Sequence, residues 1–151
     1  MVRSGTVAPA VASSRPGPIE GGARRPLALV VEDTSDYRVL MAAELRLAGF
    51  DVLEASDGIA AIDQAMRERP RAIVLDLMLP GVSGFHVARI LRANERTRHS
   101  SIVAVTALTS DTFRFRALEA GCDAFLRKPV ESSAVVAEVL RVMGGQQLPE
   151  R

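Results

Sequence analysis

Cysteine is nearly absent from this 151-residue chain: Cys122 stands alone, which excludes an internal disulfide framework and makes a cysteine-based zinc site implausible. No apolar run approaches the roughly 18 residues that a membrane span needs, so no membrane insertion is expected. Excess charge is missing too. Nineteen basic side chains oppose eighteen acidic ones for a net charge of +1, so nothing marks the chain as a nucleic-acid binder, and no direct nucleic-acid contact is expected. Lysine is scarce as well: eighteen of the nineteen basic residues are arginine, and Lys128 is the single lysine. A lysine that survives in so arginine-rich a chain invites a specific explanation. What is present is ordinary for a globular protein, with 48% hydrophobic and 25% charged residues. That balance can fill a core and excludes wholesale disorder and coiled coil. The length suits one domain with room for a tail.

Residues 1–26 differ from the rest. They hold Pro9, Pro16, Pro18 and Pro26, together with Gly5, Gly17, Gly21 and Gly22, and they lack apolar periodicity. A disordered tail is expected there. Arg3 followed by Val7 to Ala12 has the outline of a signal peptide, but the apolar stretch is too short and Pro9 interrupts it. A cytoplasmic location is the expectation.

From Leu27 onward, short apolar runs alternate with helical patterns. Leu27 to Val31 reads as a strand covered on both faces. Tyr37, Leu40, Met41, Glu44, Leu45 and Ala48 mark the face of a helix that Gly49 ends. Asp51 to Glu54 is a second strand, and Ile59, Ile62 and Met66 mark a second helix, stopped before Pro70. Ala72 to Leu75 is a third strand, followed by a helix bearing Val87, Ile90 and Leu91. Ser101 to Val105 is a fourth strand, followed by a helix around Leu118 that ends at Gly121. Asp123 to Arg127 is a fifth strand. Val136, Val139, Leu140 and Met143 form the last helical face, closed by Gly144-Gly145. This places a domain over residues 27–143 and a short tail over 144–151. Five strand–helix units with short connections predict an α/β fold: an open, doubly wound parallel sheet with helices on both faces. In such sheets chemistry gathers beyond the carboxyl ends of the strands.

Those ends carry Glu32-Asp33, Asp76, Thr106 and Lys128. Crowded carboxylates repel one another and resist desolvation, and a hard divalent cation such as Mg²⁺ relieves both. The lysine offers a point charge to a carboxylate or phosphoryl oxygen, and the threonine one rotatable donor. Together these are parts for phosphoryl transfer. Each part alone has a plainer reading. An acidic pair after a strand caps a helix more often than it binds metal, Asp76 can be a turn former, Thr106 a helix cap, and Lys128-Pro129 surface charge before a helix start. Placement at the ends of four different strands on one rim favours the joint reading.

Leu29-Val-Val-Glu-Asp33, Val74-Leu-Asp-Leu-Met-Leu-Pro-Gly-Val-Ser-Gly84, Ala104-Val-Thr-Ala107 and Gly121-Cys-Asp-Ala-Phe-Leu-Arg-Lys-Pro129 resemble the receiver domain of bacterial two-component response regulators. The resemblance implies the flavodoxin-like strand order 2-1-3-4-5. It implies that Asp76 accepts a phosphoryl group from a histidine kinase or a histidine phosphotransfer protein. Glu32, Asp33, Asp76 and the backbone carbonyl of Met78 would hold Mg²⁺ (or Mn²⁺). Lys128 would bind phosphoryl oxygens, next to a cis bond to Pro129, and Thr106 would move to hydrogen-bond the phosphoryl group. Phe125 takes the place of an aromatic that turns inward afterwards; the family commonly has tyrosine there, and Phe125 has no hydroxyl. Residues two positions beyond Asp76 and Thr106, here Met78 and Leu108, would tune the dephosphorylation rate. The output face would be the fourth helix, fifth strand and fifth helix, on a monomer or weak dimer.

The remaining candidates read as structural. Cys122 is expected to be a small semi-buried hydrophobe. His86 and His99 lie far from the strand ends. Arg89, Arg92, Arg96 and Arg98 are expected to form a solvated face. Phe113 and Phe115, two residues apart on one helix, cannot both face inward. The leading class is a stand-alone phosphoacceptor switch that acts through protein–protein contacts, since only about eight residues follow the fifth helix. A receiver cut from a longer regulator is the first alternative. A phosphate-independent pseudo-receiver would be expected to lack an Asp, Thr or Lys, and none is missing. A phosphohydrolase with an aspartyl intermediate typically has a second Asp two residues beyond the first, where this chain has Met78. No enzyme is expected, beyond slow self-dephosphorylation.

Overall fold

The computed structural model describes residues 24–144. The tail expected over 1–26 and the one after 143 therefore lie outside the described residues, except for 24–26 and 144. Ten elements alternate strictly: β1 (Leu27–Val31), α1 (Ser35–Leu47), β2 (Asp51–Ala55), α2 (Gly58–Glu68), β3 (Ala72–Leu75), α3 (Gly84–Ala93), β4 (Ser101–Thr106), α4 (Asp111–Glu119), β5 (Ala124–Arg127) and α5 (Ser132–Val142). All strand pairs are parallel, and the sheet order is β2-β1-β3-β4-β5.

The strands lack polar alternation because both faces are covered. Leu29, Val31, Ile73, Leu75, Ile102 and Ala104 enter a core with α2, α3 and α4. Ala28, Val30, Val74, Val103 and Val105 enter a second core with α1 and α5. Local chemistry sets several helix boundaries. Asp57, Ser83 and Ser110 accept hydrogen bonds from the backbone N–H groups of Ala60, His86 and Thr112, which begins α2, α3 and α4. Arg69 ends α2 in the left-handed region, at φ 50°.

The faces of four helices differ from the sequence expectation. Leu40, Ile59, Leu118 and Leu140 are exposed, while Ala42, Ala61, Ala65, Ala117 and Val135 are buried. Helices lie close on the sheet through small residues, alanine in α1, α2 and α4 and valine in α5, so larger apolar residues one or two positions away face solvent. The Phe113/Phe115 pair separates as expected: Phe113 packs against the core and Phe115 is exposed. Among the described residues, no helix is long and apolar enough to cross a membrane.

Candidate functional site

The sheet ladder carries the site residues just past the strand ends. Glu32 N–H donates to the Ala55 carbonyl at 3.0 Å, and Asp76 N–H to the Val31 carbonyl at 3.0 Å. Lys128 N–H donates to the carbonyl of Thr106, the last residue of β4, at 2.9 Å. Each backbone is thereby fixed before its side chain does anything.

The side chains meet above that rim. Lys128 Nζ donates to Glu32 Oε1 at 2.8 Å and to Asp76 Oδ2 at 3.1 Å. Each carboxylate turns its other oxygen to backbone: Thr34 N–H donates to Glu32 Oε2 at 3.1 Å and Met78 N–H to Asp76 Oδ1 at 2.9 Å. Glu32, Asp76 and Thr106 are buried, whereas Asp33 is exposed. Burial raises the Glu32 pKa above the ordinary value, and the charge of Asp76 adds to the rise; the bond to Lys128 opposes it. Burial alone would lower the Lys128 pKa. Its hydrogen bonds and the charges of Glu32 and Asp76 outweigh that, and the ammonium is held above its usual value. Thr106 Oγ1 accepts the Leu108 N–H at 3.4 Å.

Carboxylate oxygens of Glu32, Asp33 and Asp76 lie within 4.8 Å of one another. Three carboxylates against one ammonium leave an uncompensated negative charge, and every donor is a hard oxygen. That donor set fits a divalent cation of the Mg²⁺ type.

The structure thus brings Glu32, Asp33, Asp76 and Lys128 together. The Lys128–Pro129 bond is cis. Phe125 is already buried in the core beside α4. The Met78 side chain is exposed, and that of Leu108 packs partly against the core. His86 and His99 are exposed, and Cys122 is buried.

Three contributors were not visible as such in the sequence. Tyr37 places its ring 4.3 Å from Lys128 Nζ, a cation–π contact from the first turn of α1. Gly84 N–H donates to the Leu77 carbonyl at 3.0 Å, and a Cβ there would strike the Asp76 carbonyl oxygen and Leu77 Cα, so only glycine lets α3 start so close to the site. Arg92 corrects the solvated-face expectation. Its guanidinium donates to the carbonyls of Arg98, Ser100 and Gly121 and to Asp123. The sequence signal for Tyr37 was a lone tyrosine one helical turn beyond the acidic pair.

Residues 28–140 match the model of the response regulator receiver domain. The chain belongs to that family. It is 39% identical over 111 residues to the response regulator PleD of Caulobacter vibrioides, an alignment covering 74% of this chain and 24% of PleD. It is 36% identical over 115 residues to the phosphate regulon transcriptional regulatory protein PhoB of Escherichia coli, covering 76% of this chain and 50% of PhoB. The chain thus spans between a quarter and a half of the length of these curated relatives. Among solved structures it is similar to the receiver domain of the sensor histidine kinase PA1611 from Pseudomonas aeruginosa, which has a magnesium ion coordinated in its active-site cleft. That similarity has a TM-score of 0.73 and 33% identity, and it covers 80% of this chain and 99% of that one. The five-stranded fold with order 2-1-3-4-5 is that of the family's receivers.

Proposed function

We propose that this receiver is a phosphoacceptor switch in which Asp76 takes a phosphoryl group from a phosphohistidine of a histidine kinase or phosphotransfer protein. The observation that carries this reading is the bridge from Lys128, the chain's one lysine, to both Asp76 and Glu32 at the buried rim. A carboxylate oxygen of Asp76 forms the new P–O bond as the P–N bond of the phosphohistidine breaks, and the departing imidazole keeps the bonding pair and takes up a proton. Lys128 moves from carboxylate to phosphoryl oxygen, and a compact ammonium suits that exchange better than a planar fork. Thr106 turns its hydroxyl from the Leu108 N–H towards the phosphoryl group. Glu32, Asp33, Asp76 and the Met78 carbonyl are the residues that would hold Mg²⁺ or Mn²⁺. When bound, such a cation would supply neutralisation of the crowded carboxylate charge.

Phosphorylation acts through protein partners, by way of the face made by α4, β5 and α5, in a cytoplasmic protein that is a monomer or weak dimer. Because Phe125 is already buried, the switch relies on displacement of α4 more than on an inward turn of this ring. The receiver proper occupies residues 27–143. Self-dephosphorylation is slow, and Met78 and Leu108 set its rate.

The test is treatment with acetyl phosphate or beryllofluoride, with and without Mg²⁺. Wild type responds only with the cation, with amide-shift changes spreading to residues 107–130, and Asp76→Asn does not respond. A response of Asp76→Asn equal to that of wild type refutes the assignment.

A further inference from the structure

The phosphoacceptor loop has a second physical connection to α4, separate from Thr106. Gly84 lies against the Asp76 carbonyl and Leu77 with no room for a side chain. The next residue, Phe85, is therefore held in fixed relation to the end of β3. Its ring is buried and meets Phe113 of α4, with centroids 6.3 Å apart and planes tilted by 37°. The Arg116 guanidinium, one turn further along α4, lies 4.6 Å from the Phe85 centroid and 5.8 Å from that of Phe113. One cation thus covers two rings on two helices, a favourable arrangement for a guanidinium.

The rest of α4 is held unevenly. Of its residues only Ala117 is buried. Its C-terminal end is pinned, because the Gly121 carbonyl accepts Arg92 Nε at 3.0 Å and an Arg92 terminal nitrogen as well. Its N-terminal end follows the connection from Thr106, whose hydroxyl is occupied by Leu108 N–H. Beyond the exposed ion pair of Asp111 with Arg127, its N-terminal half is lightly packed, and the stack ties it to α3 through Phe113 in the middle of the helix and Arg116 in its last turn.

We infer that Phe85, Phe113 and Arg116 form a latch that holds α4 in its unphosphorylated position, with Arg116 as a positioning residue that biases the switch without touching the phosphoryl group. The inference rests on Asp76 being the phosphoacceptor. In the arrangement described, Lys128 and Thr106 are both engaged in contacts that phosphoryl binding must replace. Releasing the latch therefore lowers the cost of moving α4 and tightens binding at Asp76.

The experiment titrates beryllofluoride in saturating Mg²⁺ by amide shifts, and measures hydrogen exchange of residues 111–121 without beryllofluoride. Arg116→Ala should tighten beryllofluoride binding by about threefold and accelerate α4 exchange by a similar factor, the scale of one exposed cation–π contact. Arg116→Lys should retain most of the wild-type behaviour. Adding Phe85→Leu to Arg116→Ala should have little further effect, because both break one latch. Arg114→Ala, an exposed arginine on the same helix outside the stack, should change nothing. Unchanged or weaker beryllofluoride binding in Arg116→Ala overturns the latch, as does an equal effect in Arg114→Ala. If wild type shows no Asp76-dependent response, the phosphoacceptor reading fails instead. The α4 exchange rates then still decide the latch: faster exchange in Arg116→Ala supports it, and unchanged exchange overturns it.

Discussion

Opposite edges of one sheet each gather polar groups around a single cation, and the two are built differently. At the carboxyl edge, Lys128 sits between two buried carboxylates, with Tyr37 over it. At the amino edge, Arg92 reaches the carbonyls of Arg98, Ser100 and Gly121 and the Asp123 carboxylate. Around it, Thr97 Oγ1 donates to the Leu91 carbonyl, Ser100 Oγ to that of Pro70, and Asp123 accepts the Ile102 N–H. The amino edge shares one guanidinium among three backbone carbonyls and one carboxylate, whose positions the strand ends and α3 fix, so its arrangement has little to exchange. The carboxyl edge crowds like charges around one ammonium, so under the proposed function its best arrangement would change with a bound ion or phosphoryl group. The first is a brace, and the second is the edge proposed above as the switch. The choice of cation follows: a planar fork fixes carbonyl directions, and a compact ammonium can be passed from one oxygen to another.

The largest expected effect breaks the switch and spares the brace. Asp76→Asn should abolish phosphoryl uptake from acetyl phosphate, and Lys128→Arg should reduce it by about tenfold or more, because a guanidinium cannot take the compact bridging position. Thermal unfolding of both variants should stay close to wild type. Wild-type uptake in Lys128→Arg would remove the argument from the lone lysine.

Cys122, beside the brace, gives the next effect. Burial pushes its thiol up to about 12 from an ordinary value of 9.0. At pH 8 the thiolate fraction falls on the order of a thousandfold below that of an exposed cysteine, and alkylation should slow accordingly until the protein is denatured. Linkage fixes the sign for stability. Between pH 9 and 12 the unfolded thiol ionises while the folded one keeps its proton, so stability falls as pH rises through that window. Rapid labelling of the native protein at pH 8 would show that the amino edge opens easily and is no brace.

Arg92→Ala should then break the brace and spare the switch. It strands carbonyl oxygens that a charged donor had satisfied, for a loss of about 2–3 kcal/mol in denaturant unfolding. Phosphoryl uptake at Asp76, on the opposite edge, should change by less than about threefold at temperatures where the variant is folded. A larger fall in uptake would show that the two edges are coupled.

The edges also differ in how far they were legible from sequence. The strands could be read because continuous apolar runs such as Leu27–Val31 suit only strands covered on both faces, and their ends then placed Glu32, Asp76, Thr106 and Lys128 on one rim. Sheet geometry alone accomplishes that, without any knowledge of rotamers. Arg92 could not be read, because its partners are backbone carbonyls, which no residue type announces. Helix faces failed for a related reason. Leucine and isoleucine at Leu40, Ile59, Leu118 and Leu140 outweighed the smaller residues that make the close contact, alanine in α1, α2 and α4 and valine in α5. Gly84 read as part of a motif, and its close approach to Asp76 needed coordinates.

The smallest effect sharpens the switch itself and concerns how long a phosphoryl group would stay. Hydrolysis needs a water aligned opposite Asp76, and neither Met78 nor Leu108 can orient one. The two positions are not equivalent. The Met78 side chain is 53% exposed while its backbone N–H is bonded to Asp76, so a polar group there would stand in water beside the site. Leu108 packs partly against the core, and a polar group in its place first has to leave that packing. Met78→Asn should therefore account for most of the acceleration in Met78→Asn/Leu108→Glu, about tenfold in phosphate loss for a barrier lowered by about 1.4 kcal/mol. Leu108→Glu alone should contribute the lesser part. The rates are read from decay of phosphorylated protein after removal of acetyl phosphate. Equal rates in wild type and the double variant would mean that water already reaches Asp76 freely past an exposed Met78, and that shielding does not set the lifetime.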